Sequence, residues 1–389
     1  MKRLLSIATL YPNAHQPRFG TFVARQMEAL AARGDWEVHL VNPVGVPPIA
    51  MGRYAPLADA AVSGKEHGVH VHRPRFTLIP AVGGPFNPAM IVRAVLPLAK
   101  RLYALHPFDV VDAQFFYPDS PAAARIAAKL GLPLSIKARG ADISLWGHKP
   151  YANRKMVAAA QQAAGLLSVS EALADAMAAI GLPREKITIH YTSLDHALFR
   201  PLGRERCRKR LEDEFGIAGG GTLLATVGAL ILRKGQHFVV QALEQLPDTQ
   251  LVLVGKGEDE AALRQLVADK GLEARVHFLG LLDHSSLPIV LSAADAMVLP
   301  SASEGLANAW VEALACGTPL VITNAGGAKE LVRSEIAGRI VERDADAIAA
   351  GVREVLSAGH APEDVAACAA HFSWDRNAAA LADYYAGLL

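Results

Sequence analysis

The stretch SEGLANAWVEALACGTPLV, residues 303–321, places Glu304 before an alanine-rich apolar run and Glu312 eight positions later. Residues 306–315 predict about two and a half turns of helix that end at Gly317, a residue type that commonly caps helices, with Pro319 just beyond. The helix is followed directly by the apolar run PLVIT, which predicts a strand. A strand, a short loop, a helix and a further strand are the repeating unit of a parallel sheet covered by helices.

The spacing of the two glutamates has two interpretations. Eight helical positions span roughly 12 Å, and a helix N-terminus between the carboxylates offers unpaired N–H groups and partial positive charge that suit a diphosphate. The pair would then match a ligand with hydroxyls at both ends and phosphates in the middle. Alternatively, Glu304 only complements the helix dipole and Glu312 is a solvated surface residue.

Length and composition restrict the class of protein. A chain of 389 residues with 51% apolar content exceeds one usual core, so we expect two domains of about 150–200 residues. The net charge of +1 gives no support for nucleic-acid binding. Three widely separated cysteines indicate a reduced, cytoplasmic protein without disulfides or a thiolate metal site. We expect no membrane-spanning helix, and the start MKRLLSIATLYPN predicts a buried strand rather than a signal peptide.

Short apolar runs alternate with alanine-rich helical stretches through most of the chain, which predicts an α/β fold with two Rossmann-like, doubly wound parallel-sheet domains facing across a cleft. We place the first domain at 1–200 and the second at 201–372, with a C-terminal helix at 373–389 crossing back to the first. A charged helix and a glycine run at 219–221 mark the junction. We interpret the basic cluster at 204–210 as a solvated helix face.

Two glycine-containing segments could bind a nucleotide. Gly255 and Gly257 follow a strand in LVLVGKGEDEAAL, but the third glycine of a dinucleotide fingerprint is missing, which argues against a dehydrogenase. A phosphate-binding P-loop sequence is also absent. In VGALILRKG, Gly228 closes a strand, and Arg233 and Lys234 stand at the expected start of a helix. Two cations there are unfavourable unless an anion binds, so they indicate a phosphate site, with an ordinary surface loop as the alternative.

Taken in order, several segments resemble the retaining glycosyltransferases of family 4, which have the GT-B fold. The resemblance rests on VGALILRKG, LVGKGEDEAAL, RVHFLG, SVSEALADAMAAIGLPREKITI and, most specifically, residues 293–332. It extends over nearly the whole chain. The opening LYPNAHQPRFGTFVARQMEAL is similar to bacterial members that build exopolysaccharide, lipopolysaccharide or teichuronic-type polymers.

The resemblance implies a role for each site residue. Glu304 would contact the donor sugar and Glu312 the ribose, while Lys234, helped by Arg233, would neutralise the departing diphosphate. The remaining donor-binding positions implied in this way are Gly20, Gly228, Gly255, Gly257, Gly305, Leu306, Ala307 and Asn308, with residues 276–280 near the base. The first domain would bind the acceptor and the second the nucleotide sugar.

Three positions depart from the family pattern. Ala229 replaces the usual Arg after the strand-ending glycine, and Arg139 stands in the loop where the family often has His. Because an Arg is not a base at neutral pH, we expect Arg139 to act electrostatically, toward an acidic acceptor or the leaving phosphate. The usual NGVD before the linker is here TSLD, residues 192–195.

The implied reaction is front-face transfer with retention, in which the leaving nucleoside diphosphate takes the proton of the acceptor hydroxyl. We expect no cofactor and no metal, because the 14 histidines show no metal-ligand spacing. The expected partners are a nucleotide sugar and a glycan or lipid-linked acceptor, with no nucleic acid. The alternatives are another GT-B chemistry, such as an epimerase or phosphorylase, or a non-catalytic sugar-nucleotide-binding subunit.

The segment FNPAMIVRAVLPLAKRLYALHP, residues 86–107, combines apolar and basic side chains. It predicts either reversible contact of the first domain with the inner face of the plasma membrane, or a helix that packs its apolar face on the sheet.

Overall fold

The computed structural model describes residues 1–49, 51–57, 59–80, 82–217 and 220–389. They divide into two compact units, one formed by residues 1–192 and 374–389 and the other by residues 193–373. Gly219 of the predicted glycine run lies outside the described residues.

The first unit is built on a mainly parallel sheet. Its strands are β1 (Lys2–Ile7), β2 (Trp36–Val41), β3 (Val44–Val46), β4 (Gly64–Glu66), β5 (Val69–His72), β6 (Arg75–Thr77), β7 (Val110–Ala113), β8 (Leu134–Lys137), β9 (Gly165–Ser168) and β10 (Ile187–Ile189). Its helices up to this point are α1 (Thr21–Ala32), α2 (Asn87–Leu105), α3 (Asp119–Leu130), α4 (Pro150–Gln162) and α5 (Glu171–Ala179).

Among the described residues, eight of these strands form one sheet in the order β10-β9-β8-β7-β1-β2-β5-β4, and β3 pairs with β6 separately. All neighbours in the large sheet are parallel except β4 and β5. The chain reverses its direction of winding between β1 and β7, so this is the topological switch point of the first sheet.

The second unit is a parallel sheet covered by helices. Its elements are α6 (Arg204–Phe215), β11 (Thr222–Val227), α7 (Gln236–Ala242), β12 (Thr249–Val254), α8 (Glu260–Asp269), β13 (Val276–Gly280), α9 (Leu287–Ala293), β14 (Ala296–Leu299), α10 (Asn308–Ala315), β15 (Leu320–Thr323), α11 (Ala328–Leu331), β16 (Gly338–Val341), α12 (Ala345–Ala358) and α13 (Pro362–Ala367). The order β13-β12-β11-β14-β15-β16 puts the switch point between β11 and β14.

The last helix, α14 (Trp374–Ala386), belongs to the first unit. Its Leu381 and Tyr385 join the core that Leu4 and Leu40 of the sheet form with Met27 of α1. The expected fold class, two α/β domains with parallel sheets, is confirmed for each unit.

Helix α2 uses its apolar face inside the first unit. Ile91, Val95 and Ala99, one turn apart, are fully buried, while Arg93 and Lys100 are exposed. The helix therefore packs its apolar face in the domain core, which is the second of the two interpretations of residues 86–107.

The basic cluster at 204–210 is only partly solvated. Arg204 and Arg208 of α6 both pair with Asp295, at 3.1 and 2.5 Å, whereas Lys209 and Arg210 pair with acidic residues one turn later in the same exposed helix. Arg204 and Arg208 hold α6 against Asp295, which directly precedes β14.

Candidate active site

The segment after β11 carries the two cations. Leu232–Lys234 is a 3₁₀ turn, and Gly235, with φ 74°, separates it from α7. Arg233 and Lys234 therefore stand before the helix. The prediction from the sequence that they occupy its first positions is wrong. Gly228, at the end of β11, donates its N–H to the carbonyl of Val254 at 2.9 Å and so ties this loop to β12.

Glu304, in the loop after β14, meets both cations. Its Oε1 forms an ion pair with Nζ of Lys234, and its Oε2 lies 3.8 Å from Nη1 of Arg233. The side chains of Glu304 and Lys234 are only 9% and 13% exposed, against 39% for Arg233. Glu304 is thus a shielded, paired carboxylate. Because the two loops follow β11 and β14, the pair spans the switch point of the second sheet.

Hydrogen bonds to backbone carbonyls fix the loops after β11, β14 and β15 to one another. Ala302 N–H donates to the carbonyl of Arg233 at 2.7 Å, and Gly327 N–H donates to the carbonyl of Gly305 at 2.8 Å. Arg343 binds the carbonyls of Pro300 and Leu232, at 2.9 and 2.8 Å. Sequence reasoning missed Arg343, because it lies after β16, far along the chain from the loops it holds.

Helix α10 begins at Asn308 with Ala307 as its N-cap, two residues later than predicted, and Gly305 and Leu306 are buried before it. Glu304 lies outside the helix, so the helical rise does not set its separation from Glu312. The roughly 12 Å spacing predicted from an unbroken helix is therefore not supported. The segment 305–308 still lies at the N-terminal end of α10, where N–H groups point outward.

Glu312 is not a solvated surface residue. Its side chain is 11% exposed, and its Oε1 lies 3.1 Å from Nε2 of His284, which is 61% exposed. His284 follows β13 in the sequence LLDHSS, and its position after a strand was the only signal that could have indicated it. A carboxylate held by an exposed ring can exchange that partner for a ligand hydroxyl.

Gly255 and Gly257 follow β12 and permit close backbone contact. A Cβ on Gly255 would lie 1.9 Å from the carbonyl oxygen of Gly228, and one on Gly257 would lie 2.0 Å from that of Leu230. Both glycines are thus required for the packing of the loops after β11 and β12, whether or not they also border a nucleoside. The segment predicted to lie near the base, 276–280, is strand β13, beside β12.

Gly20 and Arg139 belong to the first unit. Gly20 is the N-cap of α1 with φ 73°, and a Cβ there would lie 2.4 Å from the carbonyl carbon of Leu10. Glycine at this position therefore has a reason within the domain itself. Arg139, after β8, donates to the carbonyl of Gln114 from Nε at 3.3 Å, and its Nη2 contacts the side chains of Gln114 and Gln26.

Arg139 is part of a buried polar network. Burial lowers the pKa of Arg139 to about 10, so the guanidinium stays charged at neutral pH. Burial also lowers the pKa of Lys137 well below its usual value, and the nearby Arg139 charge lowers it further. Lys137 contacts Gln26 at 2.9 Å and Nδ1 of His190 at 2.5 Å. The only sign of this network in the sequence is the pair of cations in KARGAD, directly after a buried strand.

Asp119, in the first turn of α3, follows β7, and its side chain reaches the loop after β1 on the other side of the switch point. Its carboxylate accepts the N–H of Thr9 at 2.9 Å and the hydroxyl of Thr9 at 2.7 Å. The side chain is fully buried, and burial raises its pKa to about 7. Asp119 was not among the residues predicted from the sequence.

Two family models match the chain. Residues 19–192 match the glycosyl transferase 4-like domain, and residues 208–371 match the glycosyl transferases group 1 family. The two matched segments lie in different units of the structure.

Similar proteins include bacterial glycosyltransferases. The chain is 27% identical over 335 residues to the Bacillus subtilis protein named "Putative teichuronic acid biosynthesis glycosyltransferase TuaC", covering 85% of this chain and 82% of that one. It is 34% identical over 214 residues to a D-inositol 3-phosphate glycosyltransferase of Mycobacterium leprae, covering 51% and 49%.

Solved structures show the same fold over the full length. Anabaena Alr3699/HepE superposes with a TM-score of 0.76 at 22% identity, covering 100% of both chains. Sucrose-phosphate synthase of Thermosynechococcus elongatus gives a TM-score of 0.79 at 20% identity, covering 100% and 99%.

The fold and both matched domains define a two-domain glycosyltransferase. The chain belongs to the GT-B glycosyltransferases of the family 4 type, and it is a transferase enzyme. Among the described residues, no helix is both long and apolar enough to cross a membrane.

Proposed function

We propose that this enzyme transfers a sugar, with retention of configuration, from a nucleoside-diphosphate sugar to a hydroxyl of a glycan or lipid-linked acceptor in bacterial cell-surface or exopolysaccharide biosynthesis. The observation that carries the proposal is the contact of Lys234 and Arg233 with Glu304 across the switch point of the second sheet. In open parallel sheets, ligands bind at this position, beyond the carboxyl ends of the strands.

The charges of this group suit a diphosphate. Glu304 balances one cation, and the second leaves an excess positive charge beside the loops. An ammonium has three donors, so Lys234 can keep its bond to Glu304 while it binds a phosphate oxygen. Arg233 adds a planar fork that matches phosphate geometry. Charge that develops on the leaving diphosphate is then stabilised by groups already in place.

The carboxylates hold the two ends of the donor. Glu304 accepts hydrogen bonds from hydroxyls of the sugar, and Glu312 accepts those of the ribose in place of His284. The backbone at 305–308, at the N-terminal end of α10, binds the sugar and phosphate oxygens between them. The leaving diphosphate accepts the acceptor proton, and the transfer needs no metal because Lys234 and Arg233 supply the positive charge.

Relatives support the same donor class. HepE has been solved with UDP and with UDP-glucose, and TuaC is named for teichuronic acid biosynthesis. In the first unit, the charged Arg139 would favour an acidic acceptor. The exposed Val82 and Phe86, which precede the basic α2, would bring this unit to the inner face of the membrane, where a lipid-linked acceptor lies.

A panel of UDP-, GDP- and ADP-sugars tests the proposal. We expect slow hydrolysis of one donor without acceptor, activity that persists in a chelator, and an NMR spectrum in which the first product has the anomeric configuration of the donor. The matched double variant Glu304→Gln/Lys234→Met should bind the donor weakly and release no sugar. Inversion would overturn the retaining mechanism, and failure to bind any member of the panel would overturn the donor class.

A further inference from the structure

A cluster of histidines lies in the first unit, on residues that the glycosyltransferase site does not use. Glu37 and His39 stand two positions apart on β2, and His70 and His72 stand two positions apart on β5. Alternate residues of a strand point to the same face of a sheet. The parallel register pairs His39 directly with His70, so all four side chains are brought to one face.

Three of these side chains have ligand atoms close to one another. Oε1 of Glu37 lies 3.2 Å from Nε2 of His39 and 3.8 Å from Nε2 of His70, and the three groups have ligand atoms within 4.8 Å of one another. Metal bonds of about 2.0–2.2 Å at tetrahedral angles place neighbouring ligands about 3.3 Å apart. One pair already has this separation. His70 is 37% exposed on its side chain and can approach by a small rotation.

We propose that Glu37, His39 and His70 bind one divalent transition-metal ion of the zinc class. Two imidazoles and one carboxylate suit zinc, cobalt or nickel rather than magnesium or calcium, which prefer oxygen ligands. The exposed side of His70 leaves a further coordination position for water. The ion links β2 to β5, the strand next to the edge of the sheet.

The surrounding groups complete the site. Nε of Arg3 donates to Oε2 of Glu37 at 2.8 Å, which orients the carboxylate and leaves Oε1 for the metal. Nδ1 of His39 lies 3.2 Å from Nε2 of His72. Metal-bound histidines commonly donate their other N–H to an acceptor, and the ring nitrogen of His72 can serve as that acceptor here. His39 is 5% exposed and is stacked against the rings of both His70 and His72, so its position is fixed.

Without metal, the same atoms form a hydrogen-bonded chain. His72 donates from Nε2 to His39, and His39 donates from Nε2 to Glu37. Metal binding moves the proton of each ring from the ε to the δ nitrogen, so that His39 donates to His72 and turns a lone pair toward the ion. Both rings stay neutral and no proton is lost.

Metal titration of the full-length chain, with any affinity tag removed, tests the proposal. We expect one Zn²⁺ per chain by calorimetry, and visible absorption bands of bound Co²⁺ that Zn²⁺ displaces. His70→Asn should weaken binding at least tenfold without changing the circular dichroism spectrum. His70→Cys, which restores a ligand atom, should recover tight Zn²⁺ binding.

Two controls separate this site from other histidines. His67→Asn changes an exposed histidine close to β5, and His106→Gln changes a ring 6.0 Å from that of His39 that is not in the ligand group. Both should bind metal as the parent does. Equal binding by His70→Asn and His67→Asn, or failure of the parent to bind Zn²⁺ at micromolar concentration, would overturn the site. These readouts do not depend on sugar transfer.

Discussion

The two sheets use a carboxylate differently at the same topological position. In each sheet, an acidic side chain from the segment after the strand across the switch point, β7 or β14, reaches the loop after the first strand, β1 or β11. Asp119 reaches Thr9 in the first unit, and Glu304 reaches Lys234 in the second. Asp119 is fully buried and accepts hydrogen bonds from an N–H and a hydroxyl, whereas Glu304 pairs with a cation at the edge of solvent.

The difference shows what each switch point can do. Burial favours the protonated form of Asp119 and raises its pKa to about 7, and its carboxyl group holds the start of α3 to the loop after β1. Glu304 is instead ion-paired with Lys234, and the side chain of Arg233 beside this pair is 39% exposed. Only the group of Glu304, Lys234 and Arg233 has more cations than carboxylates, so only this arrangement can bind an anionic ligand as it stands.

Removal of the Glu304 carboxylate should have the largest effect on activity. For Glu304→Gln we expect turnover to fall by about 10²–10³, as is typical when a preorganised polar contact to the transition state is lost. Steady-state kinetics with the preferred donor measures this change. Near-parent turnover in this variant would contradict a role in the reaction.

Stability measurements show whether that loss reflects only a broken ion pair. Because the pair is shielded, Lys234→Met should cost about 1–3 kcal/mol by leaving a carboxylate poorly paired. The double variant Glu304→Gln/Lys234→Met should recover much of this stability, since neither charge remains, but no activity. Recovery of turnover together with stability would assign the pair a purely structural role.

The sequence predicted the strands of both sheets because strands buried on both faces are continuous apolar runs. It missed β3, β4 and β6, of three residues each, since such short strands have no measurable period. It found Lys234 and Glu304 because each follows an apolar run closely. Arg343 and His284 could not be predicted, since their contacts join segments far apart in the chain.

The His39 cluster shows the same limit. No histidine spacing within one segment indicates it, because the ligands come from two strands 31 positions apart. Only the register between β2 and β5 brings them together. We expected no metal-ligand cluster because no single segment has the spacing of metal ligands. The structure brings such ligands together from two strands. It does not test whether the transfer itself needs a metal.

Asp119 predicts a pH dependence of stability with a definite sign. Its pKa rises from 3.8 to about 7 on folding, so between these values the folded chain keeps a proton that the unfolded chain releases. Its contribution to the free energy of unfolding therefore falls as pH rises from about 4 to 7. Relative to Asp119→Asn, we expect the parent to lose on the order of 2–4 kcal/mol across this range.

Urea unfolding at several pH values measures that difference, and the comparison with the variant cancels the contributions of other groups. Thr9→Val supplies a control, because loss of the hydroxyl donor should raise the pKa of Asp119 further and extend the loss of stability to higher pH. The same pH profile in the parent and Asp119→Asn would show that Asp119 is ionised in the folded protein.

The cations should matter for phosphate and not for nucleoside. Charged hydrogen bonds contribute about 1.5–3 kcal/mol, so Lys234→Met should weaken nucleoside diphosphate binding by about 10- to 150-fold. Arg233→Met should weaken nucleoside diphosphate binding by an amount at the low end of this range, because Arg233 is more exposed. Calorimetry with UDP, GDP and ADP and their nucleosides measures this difference. Lys256→Met, an exposed lysine on the neighbouring loop, is the control, and equal losses for diphosphate and nucleoside would contradict the assignment.

Membrane contact of the first unit should give the smallest effect. Val82 and Phe86 are 69% and 59% exposed, just before the basic face of α2, and backbone hydrogen bonds link Val82 to Pro80 and Phe86 to Gly83. Each basic residue near an anionic surface contributes about 1 kcal/mol, and salt screens this attraction within about 10 Å at 0.1 M. In flotation assays we expect binding to anionic liposomes at low salt that is lost at high salt and in Val82→Asp/Phe86→Asp. Leu281→Asp, which changes an exposed leucine of the second unit, should float as the parent does. A parent protein that stays at the bottom at low salt, or floats equally with neutral lipid, would favour an acceptor in solution.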